Sequence, residues 1–86
     1  MLNLMELEHF LTFAEYGTLS KASEILHISQ PTLTRSMQHV EESFGAALFQ
    51  RGKNRIELND TGRLAVTYAK KLLSDSEKAI QDVQAY

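Results

Sequence analysis

The segment Ser29–Gly45, with the sequence SQPTLTRSMQHVEESFG, has the pattern of one amphipathic helix with a defined start and end. Its apolar residues recur at spacings of four, three and four, which places them on one helical face. They are Leu33, Met37, Val40 and Phe44. Ser29 is a preferred N-cap residue, and Pro31 is tolerated in the first turn because N–H groups there have no helical partner. Gly45 predicts the end of the helix.

Two shorter helices are predicted before this segment. The first has helical apolar spacing and is followed by Gly17, which favours a left-handed C-terminal cap. Its stripe consists of Leu4, Leu7, Leu11 and Ala14, widened by Phe10. The second carries Leu19, Ala22, Ile25 and Leu26 and ends near His27 and Ile28. Thr18 or Ser20 is available as its N-cap.

A small hairpin and a long helix are predicted after Gly45. The runs 48–51 and 55–58 flank a loop that contains glycine and asparagine, and Ile56 and Leu58 alternate with polar residues as in a half-buried strand. Asn59 is a suitable cap for a helix from Asp60 to the end. The predicted fold is therefore mainly α: a winged helix-turn-helix of three helices and a two-stranded wing over residues 1–59, followed by a linker helix over residues 60–86.

The outward face of the third helix has the chemistry of a DNA-reading surface. Threonine hydroxyls and a helix N-terminus bind phosphate oxygens, Arg35 can bind a guanine edge, and Gln30 or Gln38 can bind an adenine edge. Two basic residues of the hairpin would reach phosphate or an adjacent minor groove. The predicted DNA-binding residues are Ser29, Gln30, Pro31, Thr32, Thr34, Arg35, Gln38, Lys53 and Arg55.

The charge distribution supports this prediction, although the net charge does not. The formal net charge is -2, whereas DNA-binding domains are usually basic. No acid occurs between Ile25 and Val40, and residues 51–55 carry three positive charges. The acidic residues lie mainly in the first and last segments, which favours an alternative: a winged helix that serves as a protein-interaction module. The acid-free helix and the basic loop oppose that alternative.

Enzymatic activity is not expected. The three histidines, His9, His27 and His39, lack metal-ligand spacing, and no phosphate-binding glycine loop or nucleophile motif is present. We therefore predict no metal and no cofactor. There is no cysteine and no apolar run near the roughly 20 residues that span a bilayer, so the expected compartment is the cytoplasm and no membrane partner is expected.

The C-terminal segment predicts a homodimer. From Ala65 to Tyr86, apolar and small residues recur in alternating steps of four and three. A helix of about 25 residues would extend about 37 Å, which is longer than so small a domain can cover. Near Leu64 and Tyr68 we expect the helix to pack on its own domain, and beyond Leu72 on a partner helix. The predicted dimerisation residues are Ala65, Ala69, Leu72, Leu73, Ser76, Ala79, Ile80 and Val83.

The residues from Phe10 to Gly62 resemble the N-terminal domain of LysR-type transcriptional regulators. Two specific stretches carry the resemblance, SQPTLT from Ser29 and FGAALFQR from Phe44, in order and without gaps. The other matching residues are Leu7, Phe10, Phe13, Gly17 to Ser20, Ala22, Leu26 to Ile28, Glu41, Leu58 and Gly62.

This resemblance implies a sequence-specific regulator that binds double-stranded DNA. It implies contacts from Gln30, Pro31, Thr32, Thr34 and Arg35, with the wing assisting, and a linker helix paired antiparallel with that of a second subunit. A two-fold dimer would read a near-palindromic operator. Members of the family continue into a larger domain that senses a small effector, so we expect that domain to be absent from this chain.

Overall fold

The computed structural model describes all 86 residues and contains four helices and one antiparallel hairpin. The elements are α1 (Leu4–Tyr16), α2 (Leu19–Leu26), α3 (Gln30–Phe44), β1 (Phe49–Gly52), β2 (Arg55–Leu58) and α4 (Asp60–Ala85). The predicted fold class is confirmed. The first strand begins one residue later than predicted, within the uncertainty of any strand boundary. None of the helices combines the length and apolar character that a membrane-spanning segment needs.

Every helix begins at a side-chain cap. In each case a side-chain oxygen accepts a hydrogen bond from the backbone N–H three residues later, which satisfies one of the unpaired donors of the first turn. The four caps are Asn3, Thr18, Ser29 and Asn59. Gly17 and Gly45 end α1 and α3 with φ of 82° and 69°, the left-handed conformation that costs glycine least. The caps predicted from the sequence are therefore confirmed, with Thr18 rather than Ser20 starting α2.

The core lies between α1, α3 and the first half of α4. Leu7, Phe10 and Phe13 of α1 are buried against the apolar stripe of α3, in which Leu33, Met37 and Val40 are buried. The ring of Phe49 on β1 meets the Phe10 and Phe13 rings edge-on, at centroid distances of 5.8 and 5.7 Å. This contact fixes the base of the wing on α1.

The buried face of α1 differs from the predicted stripe along the whole helix. Leu4 is 43% exposed, and Leu11 and Ala14 are only half-buried, whereas Phe13 is 2% exposed. The two phenylalanines therefore define the core side of α1. The predicted stripe at 4, 7, 11 and 14 is therefore rotated by about 80° from the buried face, and only Leu7 and the flanking Phe10 belong to both.

The first half of α4 packs on the wing and on α1. Asn59 Nδ2 donates to the carbonyl oxygen of Ala47 at 3.1 Å, and Asn59 N donates to that of Leu48 at 2.9 Å. Gly62 lies so close to the Leu48 carbonyl that a Cβ there would overlap the oxygen. The helix thus starts in fixed contact with the base of the wing.

The structure corrects which face of α4 is covered by the domain itself. Ala65 and Ala69 are 5% and 0% exposed and belong to the core, so these two predicted dimerisation residues are not available to a partner. Leu64 and Tyr68, expected to pack inside, are 57% and 54% exposed. The small alanine side chains let α4 approach α1 closely, and the larger residues are left outside.

Candidate nucleic-acid interface

The turn between α2 and α3 consists of three residues, His27 to Ser29. His27 adopts the left-handed conformation, with φ of 57° and ψ of 41°, and Ile28 N donates to the Ser23 carbonyl oxygen at 3.1 Å. These contacts end α2 and turn the chain directly into the N-cap of α3. The two helices therefore form a helix-turn-helix with α3 in the second position.

The start of α3 leaves two backbone donors free, the N–H groups of Ser29 and Gln30. Ser29 Oγ accepts from Thr32 N at 3.2 Å, and the Ser29 carbonyl accepts from Leu33 N at 3.0 Å. Pro31 has no N–H, and the N–H groups of Ser29 and Gln30 make no hydrogen bond within the chain. Ser29 Oγ also donates to Thr32 Oγ1 at 2.8 Å. The Thr32 hydroxyl hydrogen and the Gln30 backbone N–H are thus both available to an anion.

Most of the predicted contact residues of α3 lie on the solvent side. Six are exposed: Ser29, Gln30, Pro31, Thr32, Arg35 and Gln38. Thr34 is half-buried and faces the hairpin, since it lines a groove with Phe49 and Gln50 of β1. Arg35 and Gln38 make no side-chain hydrogen bond or ion pair within the protein. Their polar groups are therefore free for an external partner.

Of the two wing residues predicted to contact DNA, Lys53 is unpaired and Arg55 is paired with an acid. Lys53 is exposed at the two-residue tip beside Asn54, which has φ of 58°. Arg55 Nη2 lies 3.5 Å from Glu57 Oε2, two residues further along β2. The predicted pair of basic wing residues is thus present at the surface, but only Lys53 is without an acidic partner.

The unpaired cations of the whole chain are concentrated on this side of the protein. Four of the nine lysines and arginines lie within 4.0 Å of a carboxylate. The five that do not are Arg35, Arg51, Lys53, Lys70 and Lys71. Three of these five belong to α3 or the hairpin, so the local charge is positive although the net charge is -2.

A surface cleft of about 250 Å³ brings three elements of the interface together. It is lined by Thr18 and Ser20 at the start of α2, Gln30 at the start of α3, and Asn54 and Arg55 of the wing. From the sequence, Thr18 and Ser20 were predicted only as alternative N-caps of α2 and not as part of the interface. Their positions at a helix N-terminus were a usable signal, because such ends favour anions.

Two of the three histidines join α3 to α1. His39 Nδ1 lies 2.6 Å from Glu6 Oε2, and His9 Nδ1 hydrogen-bonds Ser36 Oγ at 2.8 Å. Ser36 is 5% exposed and lies on the core side of α3, a position that periodicity alone assigned to no function. No group of three histidine, cysteine, aspartate or glutamate side chains could hold a metal ion.

Comparison with known proteins identifies the family. A family model described as the bacterial regulatory helix-turn-helix protein, lysR family, matches residues 4–63. The chain belongs to the LysR family. The curated SDS degradation transcriptional activation protein of Pseudomonas sp. (strain ATCC 19151) is 38% identical over 81 residues, which are 94% of this chain and 26% of that protein. The curated relatives include further proteins named as transcriptional regulators.

Solved LysR-family structures have the same fold. A CbnR_DBD–DNA complex is 31% identical, with a TM-score of 0.90, and the match covers 98% of this chain and 97% of that one. Full-length CbnR complexed with its target DNA is also 31% identical, with a TM-score of 0.89, and 29% of that chain is covered. This LysR-family chain thus spans about a quarter of the length of full-length relatives and contains the family's regulatory helix-turn-helix.

Proposed function

We propose that this LysR-family chain binds a specific duplex DNA sequence, with α3 as the recognition helix in the major groove and the wing on the neighbouring backbone. The observation that supports this most directly is the N-terminal half of α3. It is exposed and acid-free, and its Arg35 and Gln38 side chains and Gln30 amide have no partner in the chain. Buried in a groove, such groups need the partners that base edges and phosphates supply.

Each polar group of α3 has a distinct proposed role. Arg35 binds O6 and N7 of a guanine, the commonest specific contact in the major groove. Gln38 or Gln30 binds N6 and N7 of an adenine. The Gln30 N–H and the Thr32 hydroxyl donate to phosphate oxygens and set the depth of the helix, while Pro31 offers an apolar contact to a thymine methyl group. Ser29 supports the Thr32 hydroxyl, and Thr34 lies at the edge nearest the wing.

The wing is proposed to contribute affinity rather than sequence selection. Lys53 can neutralise a phosphate directly because no carboxylate competes for it. Arg55 must share its guanidinium with Glu57, but an exposed ion pair of this kind contributes only about 0–1 kcal/mol. The start of α2 lies beside Arg55 in the shared cleft and adds a second helix N-terminus toward the same strand.

The second half of α4 is proposed to form a homodimer. From Glu77 to Tyr86 every residue is exposed, and no residue beyond Leu73 packs against the core. Leu72, Ile80 and Val83 are 37%, 56% and 76% exposed, and Ser76 and Ala79 are small enough to admit a partner helix between them. The exposed Leu64 and Tyr68 extend this proposed interface by two helical turns toward the start of α4. Leu73 contributes only its outer edge, because it also packs on the core.

A two-fold dimer would place two α3 helices in successive major grooves, about 34–36 Å apart, and so would read a near-palindromic operator. Pairing also doubles the number of cationic contacts, which helps a chain of net charge -2 to bind a polyanion. We assign no effector site to these 86 residues; the small-molecule response that the family resemblance implies would require a separate domain.

Selection of bound sequences from a random duplex pool tests the proposal in one experiment. We expect an enriched near-palindrome with half-sites about one helical turn apart, and binding that weakens steeply as salt rises. Enrichment of no sequence, together with salt-independent retention on random duplex DNA, would instead support the protein-interaction module that the acidic ends of the chain favour.

A further inference from the structure

Two polar contacts join α1 to the recognition helix along one edge of their interface. Glu6 Oε2 lies 2.6 Å from His39 Nδ1, and His9 Nδ1 lies 2.8 Å from Ser36 Oγ. Glu6 and His9 are three residues apart and therefore lie on one face of α1. Ser36 and His39 are likewise three residues apart and lie on one face of α3. We call these two contacts the α1–α3 ladder.

The ladder supplies directional contacts that the apolar core lacks. Leu33, Met37 and Val40 bury the same side of α3, but hydrophobic burial is non-directional and tolerates small rotations of a helix. Hydrogen bonds weaken steeply when their angles change. Ser36 is only 5% exposed, and the His9 ring is the one hydrogen-bond partner of its hydroxyl, so a rotation of α3 would break this buried contact.

The DNA-reading residues lie one position away from the ladder in sequence. Arg35 precedes Ser36, and Gln38 precedes His39. A rotation of α3 by about 20° moves a group at the outer helix radius of about 5–6 Å by about 2 Å. A bidentate contact to a base edge does not survive such a displacement, whereas a phosphate contact through a long side chain does.

We propose that Glu6, His9, Ser36 and His39 are positioning residues that orient the recognition helix for sequence discrimination. The inference rests on the proposed function, because it assigns the ladder a role in how α3 reads base edges. It adds residues at the α1–α3 interface, which are not themselves among the proposed DNA contacts, to the set that determines which sequence is bound.

The test compares variants on two DNA duplexes: the sequence selected by the wild-type protein and a random duplex of equal length. We expect Glu6→Ala to lower the ratio of selected-site to random-duplex affinity by about 5-fold or more, the lower end of what a lost bidentate base contact costs. Glu6→Gln keeps an oxygen acceptor for the His39 ring and should restore most of the ratio. Ser36→Ala removes the His9–Ser36 contact and should also lower the affinity ratio.

Glu8→Ala is the matched control. Glu8 is an exposed acid on the same helix whose carboxylate makes no hydrogen bond or ion pair, so its removal changes the formal net charge equally without removing a ladder contact. We expect both alanine variants to raise random-duplex affinity alike, and only Glu6→Ala to lose discrimination. Glu6→Ala and the double variant Glu6→Ala/His39→Ala should show the same ratio of selected-site to random-duplex affinity, because either substitution removes the Glu6–His39 contact.

A measurement without DNA separates orientation from stability. In the amide proton–nitrogen spectrum of the free protein, Glu6→Ala should shift resonances along Gln30–Gln38, and Glu8→Ala should leave them in place. If Glu6→Ala keeps the wild-type ratio, or weakens both duplexes equally, the ladder has no positioning role and the inference fails while the proposed function stands. If the wild-type protein selects no sequence at all, both fail together.

Discussion

Replacing Lys53 by alanine tests whether the wing reaches the DNA backbone. Lys53 is exposed at the tip of the hairpin and has no acidic partner, so its removal should neither unfold the protein nor release another charge. Its expected contribution is the neutralisation of one phosphate. Because that contact carries no sequence information, the variant should bind selected and random duplexes less tightly by similar factors.

The size of the effect follows from counterion release. Each neutralised phosphate contributes about 0.9 to the slope of log affinity against log salt concentration. Lys53→Ala should therefore reduce the slope by about 0.9 if one wing is engaged, and by about 1.8 if both wings of a dimer are engaged. If both wings are engaged, raising the salt concentration from about 50 to about 200 mM should weaken wild-type binding by a factor about 12 times larger than the factor for the variant.

Fluorescence anisotropy titrations at four or more salt concentrations give this slope directly. Lys71→Ala is the control, because Lys71 is an exposed, unpaired lysine on α4 and its loss changes the net charge by the same amount. Arg55→Ala should reduce the slope less than Lys53→Ala, since Glu57 already balances part of its charge. A slope for Lys53→Ala equal to that of the Lys71 variant would refute the proposed wing contact.

Three further predictions follow from the same geometry. Arg35→Ala should cost about 1–3 kcal/mol on the selected site and little on random DNA, and equal losses in a binding titration would reduce Arg35 to a phosphate contact. Ile80→Asp should give monomers in sedimentation, and it is a cleaner test than Leu73→Asp because Leu73 also packs on the core; a persistent dimer would contradict the α4 interface. Gly62→Ala should destabilise the fold by about 2 kcal/mol, lowering Tm by about 8–16 °C in thermal denaturation, because its Cβ would overlap the Leu48 carbonyl; an unchanged Tm would show that α4 can shift freely.

Local patterns in the sequence predicted the elements of this fold well. The caps at Ser29 and Asn59 and the glycine at position 45 act within a few residues of themselves, so no tertiary information is needed to recognise them. The same holds for the outward face of α3, because its apolar stripe is continuous and leaves one side for solvent. The family resemblance rests on these same local residues and was confirmed by the family match over residues 4–63.

The face of α4 could not be predicted in this way. The helix has apolar residues on two sides, with Ala65 and Ala69 on one and Leu64 and Tyr68 on the other. Periodicity gives both sides a helical repeat and cannot state which one meets the domain. The choice depends on the close approach at Gly62 and on the space beside α1, which only small side chains fit.

The sequence by itself determined the order of the helices, their ends, the hairpin and the residues that α3 turns outward, because each of these follows from contacts between near neighbours in the chain. The tertiary structure decided what depends on distant residues: the burial of Ala65 and Ala69, the cleft shared by Gln30 and Arg55, and the pairing of Glu6 with His39 across 33 positions. Those contacts arise only when separate helices pack together, so hydrophobic spacing within any one helix does not reveal them.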